Sequence, residues 1–310
     1  MRVSSATFPN SLSGTVSQLT VQIDRLQTQA STGQRIRNPE DDPAAMRNVL
    51  DLQNTFQAQG QYSQNVAKLQ GSVSGIFSSI QSLKKVSDRA SEIATLATSN
   101  RSPDELSAYA SELDQMIESS LGTANAQSVG VFLFGGTADS SVPFSATRDS
   151  SGSITAIAYK GNSTVPSYPI ANAVTASVAI PGANTGTTGA HGLLQDSRSG
   201  VDVFSHLIEL RNILRSGDNS KISGTVVPKL NADETGFIFQ LAHLGANQSR
   251  LDAAAAQSTN DATQIQQQIS SRSDADLANT LVQLNQLQSA YSAALQSGAK
   301  ILKQSLLDYL

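Results

Sequence analysis

Proline placement constrains this chain more than any other feature. None occurs between Pro43 and Pro103 and none follows Pro228, whereas Pro143, Pro166, Pro169 and Pro181 crowd the middle. A proline inside a helix costs about 3 kcal/mol, because it removes a backbone donor and its ring clashes with the preceding turn. Long helices are therefore expected in the two proline-free stretches and excluded from the middle.

Apolar spacing agrees with that division. Leu12, Val16, Leu19, Ile23, Leu26 and Ala30 recur at intervals of four and three, a heptad seam, and Gly33 supplies a helix stop. Asp42 reads as the N-cap of a second helix with Pro43 at its first position. The alternation of threes and fours then runs from Val66 through Ile76, Leu83 and Ala90 to Ala97. At about 1.5 Å per residue, a helix from Pro43 to Thr98 would span roughly 84 Å. Ser102-Pro103-Asp104-Glu105 is a capping box, followed by Leu106, Ala110, Leu113, Ile117 and Leu121 on one face. Helical spacing returns at Val203, Leu207, Leu210 and Leu214, and again from Phe237 through Leu244, Leu251 and Ser258 to Ile269. Ser273 is expected to cap a last segment carrying Leu277, Leu281, Leu284, Gln288, Tyr291, Leu295 and Leu302, running to Leu310.

Strands are expected between the arms. Val131 to Gly136 reads as a short strand closed by a glycine turn, Ile154 to Tyr159 as a second, and Val174, Ala176, Val178 and Ile180 alternate with period two. The expected fold is mainly α: an elongated antiparallel helical bundle or coiled coil formed by the N- and C-terminal arms, with a small β-rich central domain. Its parts are an N-terminal assembly helix (1–40), the N-terminal half of a helical body (41–140), an exposed β-rich insertion (141–200), the C-terminal half of the body (201–272) and a C-terminal assembly helix (273–310).

Composition narrows the chemistry. Aromatic residues are 5% and tryptophan is absent, so burial must come from Ala, Leu, Val and Ile, which suits thin helical interfaces. A balance of 21 basic against 25 acidic residues advertises neither nucleic acid nor an anionic membrane. With no cysteine, disulfides and thiolate chemistry are excluded. His191, His206 and His243 show no metal-binding spacing, and each reads as a surface or boundary residue. Asp41 and Asp42 are explained by capping, and Ser297-Gly-Ala-Lys300 lacks the companion elements of a serine acyltransferase. Catalytic, cofactor and metal sites are all expected to be absent. No cleavable leader and no apolar run of about 18 residues is visible, so composition alone would point to the cytoplasm. The seams are interrupted by Gln, Ser, Gly and Ala. Part of each seam should therefore pack inside the molecule and the rest against other subunits.

The segment from Gln29 to Ala45, with Asn38-Pro39 and Asp41-Asp42-Pro43, resembles the N-terminal signature of the flagellin superfamily, in its hook-associated protein 3 branch. Asp274-Ala-Asp-Leu-Ala278 and Ser305-Leu-Leu-Asp-Tyr-Leu310 resemble the C-terminal end of that branch. Phe134-Gly-Gly136, Tyr159-Lys-Gly-Asn162, Leu244-Gly245 and Arg250-Leu251 are weaker matches. Phe8-Pro9 departs from the pattern and should delay the first helix. The resemblance implies a structural adaptor of the bacterial flagellum, exported unfolded through type III secretion and placed between the hook-side junction protein and the filament. It implies a homo-oligomeric ring, flagellin and the other junction protein as neighbours, a cytoplasmic export chaperone, and neither nucleic acid nor membrane insertion. The final address would be extracellular, on the flagellum, after a transient cytoplasmic stage. Assembly and chaperone contacts would fall on Leu12, Val16, Leu19, Ile23 and Leu26, and on Leu277, Leu281, Leu284, Leu295, Leu302, Leu306, Leu307 and Leu310. A short flagellin that forms the filament itself is the alternative. An anchored adhesin or sensor with a coiled-coil stalk would need a membrane segment.

Overall fold

The computed structural model describes residues 7–99, 101–128 and 130–307, and the side chains of 11–300 among them. Helix α1 spans Thr7–Thr32, α2 Pro43–Ala97 and α3 Pro103–Ala124. Pro9 does not delay α1. It falls in the first turn, where the missing N–H would have no helical acceptor in any case. At 55 residues, α2 is one unbroken helix of about 82 Å. The capping box before α3 is complete: the Ser102 hydroxyl accepts from the Glu105 amide, and the Glu105 carboxylate accepts from the Ser102 amide at 3.0 Å.

Four small sheets follow. β1 (Gln127–Ser128) pairs with β2 (Val131–Phe132), β3 (Phe144–Arg148) with β4 (Ile154–Tyr159), and β5 (Tyr168–Ala171) with β6 (Val174–Ala176), all antiparallel. In the fourth sheet β8 (Gln195–Asp196) lies between β7 (Ala183–Asn184), to which it is parallel, and β9 (Val201–Asp202), to which it is antiparallel. Helix α4 (Val203–Ser216) comes next, then a 3₁₀ turn (Asn219–Lys221) and a π segment (Ile222–Val226) that leads into α5 (Val227–Ser273); α6 (Leu277–Leu307) closes the chain. Contacts divide this into two compact units. One is Gly60–Thr259; the other joins the two ends, Met1–Gln59 and Asn260–Leu310.

In the central unit the α2 row from Val66 to Ala97 is buried along its length, apart from a half-buried Val86. It shares one apolar cluster with Leu113 and Ile117 of α3, Leu207 and Leu210 of α4, and Phe237, Leu244 and Leu251 of α5. The β-rich segment is not an exposed insertion. Phe144, Ile154, Ile170, Val178, Ile180, Leu193 and Leu194 lie in that same cluster. The Phe144 ring packs at 5.0 Å from Tyr159 and 5.6 Å from Phe204 of α4, and a Cβ at Gly182 would stand 2.5 Å from it. Gly182 is thus what lets the chain pass the ring.

Two of the weaker sequence signatures meet here. The Tyr159 hydroxyl lies 2.8 Å from the Phe134 carbonyl and 2.9 Å from that of Asn162. Asn162 donates its amide to Gly135 and accepts from Thr137, and Gly136 (φ 69°) passes so close to Asn162 that no Cβ could fit.

Among the described residues, charged groups are buried only where they are paired. Arg211, 2% exposed, donates to Asp114 at 2.9 Å and to the Ile154 carbonyl at 2.7 Å, so α4 grips both α3 and β4. His206 is not a surface residue: its Nδ1 lies 2.8 Å from the buried Asp233 carboxylate, which also accepts from the Asp202 amide. Burial pushes the Asp233 carboxyl above its ordinary range despite those bonds. The side chain of Asp196 is fully covered, yet burial is outweighed by hydrogen bonds from the Arg198 side chain and the Gly192 and Arg198 amides, which hold its pKa at about 2.

Candidate functional site

The terminal unit is built on α1 and α6, which pack against each other in antiparallel order. Two anchors fix the register. Near one end Leu12 seats on Gly298, where a Cβ would come 2.4 Å from Leu12 Cδ2. At the other end Gln34 and Asp274 form an antiparallel bridge. Between the anchors α1 offers Leu12, Val16, Leu19, Ile23, Leu26 and Ala30, all half-buried, while the residues between them are exposed apart from Gln29.

On α6 the packed row is Thr280, Leu284, Leu287, Tyr291, Ala294 and Gly298. The expected seam shares only Leu284 and Tyr291 with it. Leu277, Leu281 and Leu295 lie on a neighbouring stripe and are each about half exposed, as is Val282. Gly298 is therefore no defect in the seam but the hollow that receives Leu12. Small residues on α6 let the helices approach closely, as a strict leucine row would not. The side chains of Leu302, Leu306 and Leu307, and all of Leu310, lie outside the described residues.

Beyond the helix ends, the two linkers interlock. Gly33 leaves α1 at φ 72°, the left-handed conformation that ends a helix and costs glycine least. Its carbonyl accepts from the Ala275 amide at 2.8 Å, while the Ser273 carbonyl accepts from Arg35 at 2.7 Å and Ile36 at 3.3 Å. The Arg35 guanidinium donates to the Arg272 carbonyl at 2.7 Å, and Ile36 is buried. Asp41 accepts from the Arg37 and Asn38 amides, both at 3.0 Å, and those bonds hold its carboxyl below the usual range. Asp42 accepts from the Ala45 amide at 3.0 Å in the N-cap position of α2.

Ser273 does not cap α6. It is the last residue of α5, and the cap is Asp276, which accepts from the Asn279 amide at 3.1 Å. The signal was present, since Asp276 directly precedes the apolar Leu277, but Ser273 drew the reading three residues too early. The two most specific stretches of the sequence, around 33–43 and 274–278, thus occupy one structural place.

Among the described residues no three His, Asp or Glu side chains gather as metal ligands, and no helix is long and apolar enough to cross a membrane.

Residues 3–139 match the family described as the bacterial flagellin N-terminal helical region. The N-terminal arm is thus similar to the helical region of the flagellins. Solved structures share the fold. A flagellar hook-associated protein from Vibrio parahaemolyticus aligns with a TM-score of 0.63 at 20% identity, over 76% of this chain and 100% of its own. FlgL of Xanthomonas campestris aligns at 0.58 and 16% identity, and FlgL of Bacillus cereus at 0.54 and 14%; each covers 71% of this chain and 99% of its own. A comparison with curated proteins finds no match. The matched stretch ends three residues after Gly136, so it takes in α1, the Gly33–Pro43 linker and all of α2 and α3.

Proposed function

We propose that this chain is the adaptor joining the hook-side junction to the flagellar filament, and that its α1–α6 pair is the part that assembles. The observation that carries this reading is the second apolar stripe on α6. Leu277, Leu281, Val282 and Leu295 stay about half exposed in a single copy although α6 already packs on α1. A helix with one stripe covered and another open suits a ring in which each pair touches two neighbours. Val21 on α1 is exposed as well.

In this reading Leu12, Val16, Leu19, Ile23, Leu26 and Leu284 hold the pair together, and Leu277, Leu281 and Leu295 contact neighbouring copies. Leu302, Leu306, Leu307 and Leu310 continue the same apolar sequence and would be held by an export chaperone before assembly, the chain leaving the cytoplasm unfolded. Flagellin and the other junction protein are its neighbours in the assembled organelle. Immunogold labelling with a count of copies per flagellum tests this. Label confined to the hook–filament boundary supports the adaptor, and label along the filament at high copy number replaces it with a short flagellin.

A further inference from the structure

A cavity of about 530 Å³ lies in the central unit, between the α2 face around Leu69 and Ile76, the β1–β2 hairpin and the start of β5. Its floor of Leu69, Ile76 and Val178 is buried, and Phe132, Leu133 and Pro166 complete apolar walls. The volume falls in the range of small-molecule sites, about 300–1,000 Å³. Two features separate it from an ordinary surface dent. Gly71 lines it from the middle of α2, where glycine weakens a helix, and a Cβ there would meet nothing within 4 Å. Lys68 stands beside it with its ammonium 4.6 Å above the Tyr168 ring and 3.4 Å from the Tyr168 hydroxyl, and makes no ion pair among the described residues.

We propose that this cavity binds an amphiphilic monocarboxylate, its hydrocarbon body on Leu69, Ile76 and Val178 and its anionic head paired with Lys68. The aromatic ring holds the Lys68 ammonium without neutralising it, so a carboxylate arriving there gains a charge-assisted hydrogen bond beside an apolar surface. Asp139 also lines the cavity, but the bond from the Phe132 amide to its carbonyl fixes its backbone beside β2, and its side chain has only one methylene of reach. Lys68 carries its charge on a flexible stem that can follow the ligand head. The preference is therefore for an anion over a cation with the same tail.

Decanoate, decan-1-ol and decylammonium, each titrated below its micelle concentration into the full methyl-labelled chain, provide the test by NMR. Decanoate should shift the Leu69, Ile76 and Val178 methyls saturably and bind more tightly than the other two. Lys68→Gln should reduce its affinity to that of the alcohol, and Gly71→Leu, which fills the cavity from a helix-compatible position, should abolish binding with the circular dichroism unchanged. Decylammonium binding as tightly as decanoate, unchanged affinity in Gly71→Leu, or no saturable shift with any probe would each overturn the proposal.

Discussion

Replacing Asp42 with alanine isolates what the linker signature contributes. Pro43 has no N–H, and the Met46 amide already bonds the Asp42 carbonyl at 2.9 Å. Only the Ala44 and Ala45 amides at the start of α2 therefore need partners, and Asp42 satisfies Ala45. Loss of that cap should cost about 1 kcal/mol, within a range of about 0.5–2. The Arg35–Asp42 pair at 3.7 Å is more than a third exposed on both sides and adds little, on the order of a few tenths. A change of about 1–2 kcal/mol multiplies local opening about 5–30-fold. Hydrogen exchange of the Ala45 to Val49 amides should accelerate by that factor, while amides of the central unit around Ile93 and Leu113 keep theirs. Asp42→Ser retains the cap without the charge and should restore most of the protection. If serine proves as damaging as alanine, the charge pair and not the cap is what matters, and the reasoning fails.

Excising residues 145–195 should abolish the cooperative unfolding transition of the central unit, since it removes Ile154, Val178 and Leu194 from a shared core; a shortened chain that still melts cooperatively would show the sheets to be dispensable. Phe144→Ala should cost about 3–5 kcal/mol in urea denaturation, as expected for a buried aromatic ring. The Asp196 carboxyl, held at about 2 when folded against about 3.9 unfolded, contributes stability above pH 4 that is lost as pH falls toward 2. The stability gap between the native chain and Asp196→Asn should shrink by about 2 kcal/mol over that window, and a constant gap would contradict it. Gly298→Val should push α6 away from Leu12 and weaken the α1–α6 pair, and Leu12→Ala should partly rescue it, with tritration of pair formation read from the distance between spin labels on the two helices.

The helices were legible because their signals are local. The buried rows of α2 and of α5 lie where the threes and fours place them, and the Ser102 and Asp42 caps need only neighbouring residues. The α6 seam was not, because two heptad stripes run side by side on that helix and the leucine-richer one drew the eye. Only a partner helix can select the stripe of Thr280, Ala294 and Gly298, whose small residues count as weak signals in isolation. The β region misled for a similar reason. Gly, Ser and Pro suggest exposure, whereas Phe144, Ile154 and Leu194 are spaced too irregularly for any period to show that they share a core with α2. His206 and Asp233, 27 residues apart, form a pair that no local spacing announces. The interlock of the linkers was invisible for a plainer reason, since backbone carbonyls such as that of Ser273 carry no sequence signal.

The bond between Arg35 and Arg272 spans 237 residues, and Leu12 finds Gly298 across a still longer stretch. Helix α1 therefore has no partner until α6, more than 200 residues further along, exists. Contacts so distant in sequence form late, since the loop between them must first lose its freedom or be shortened by structure already made. Gly60–Thr259 can collapse on its own contacts meanwhile, and in doing so draws the two ends together. The order of folding is thus written into the topology: centre first, and the joining of the two ends as the closing step. Any delay in that step leaves both apolar seams open at once, and that interval is when the chain is most exposed to mispairing with another copy of itself.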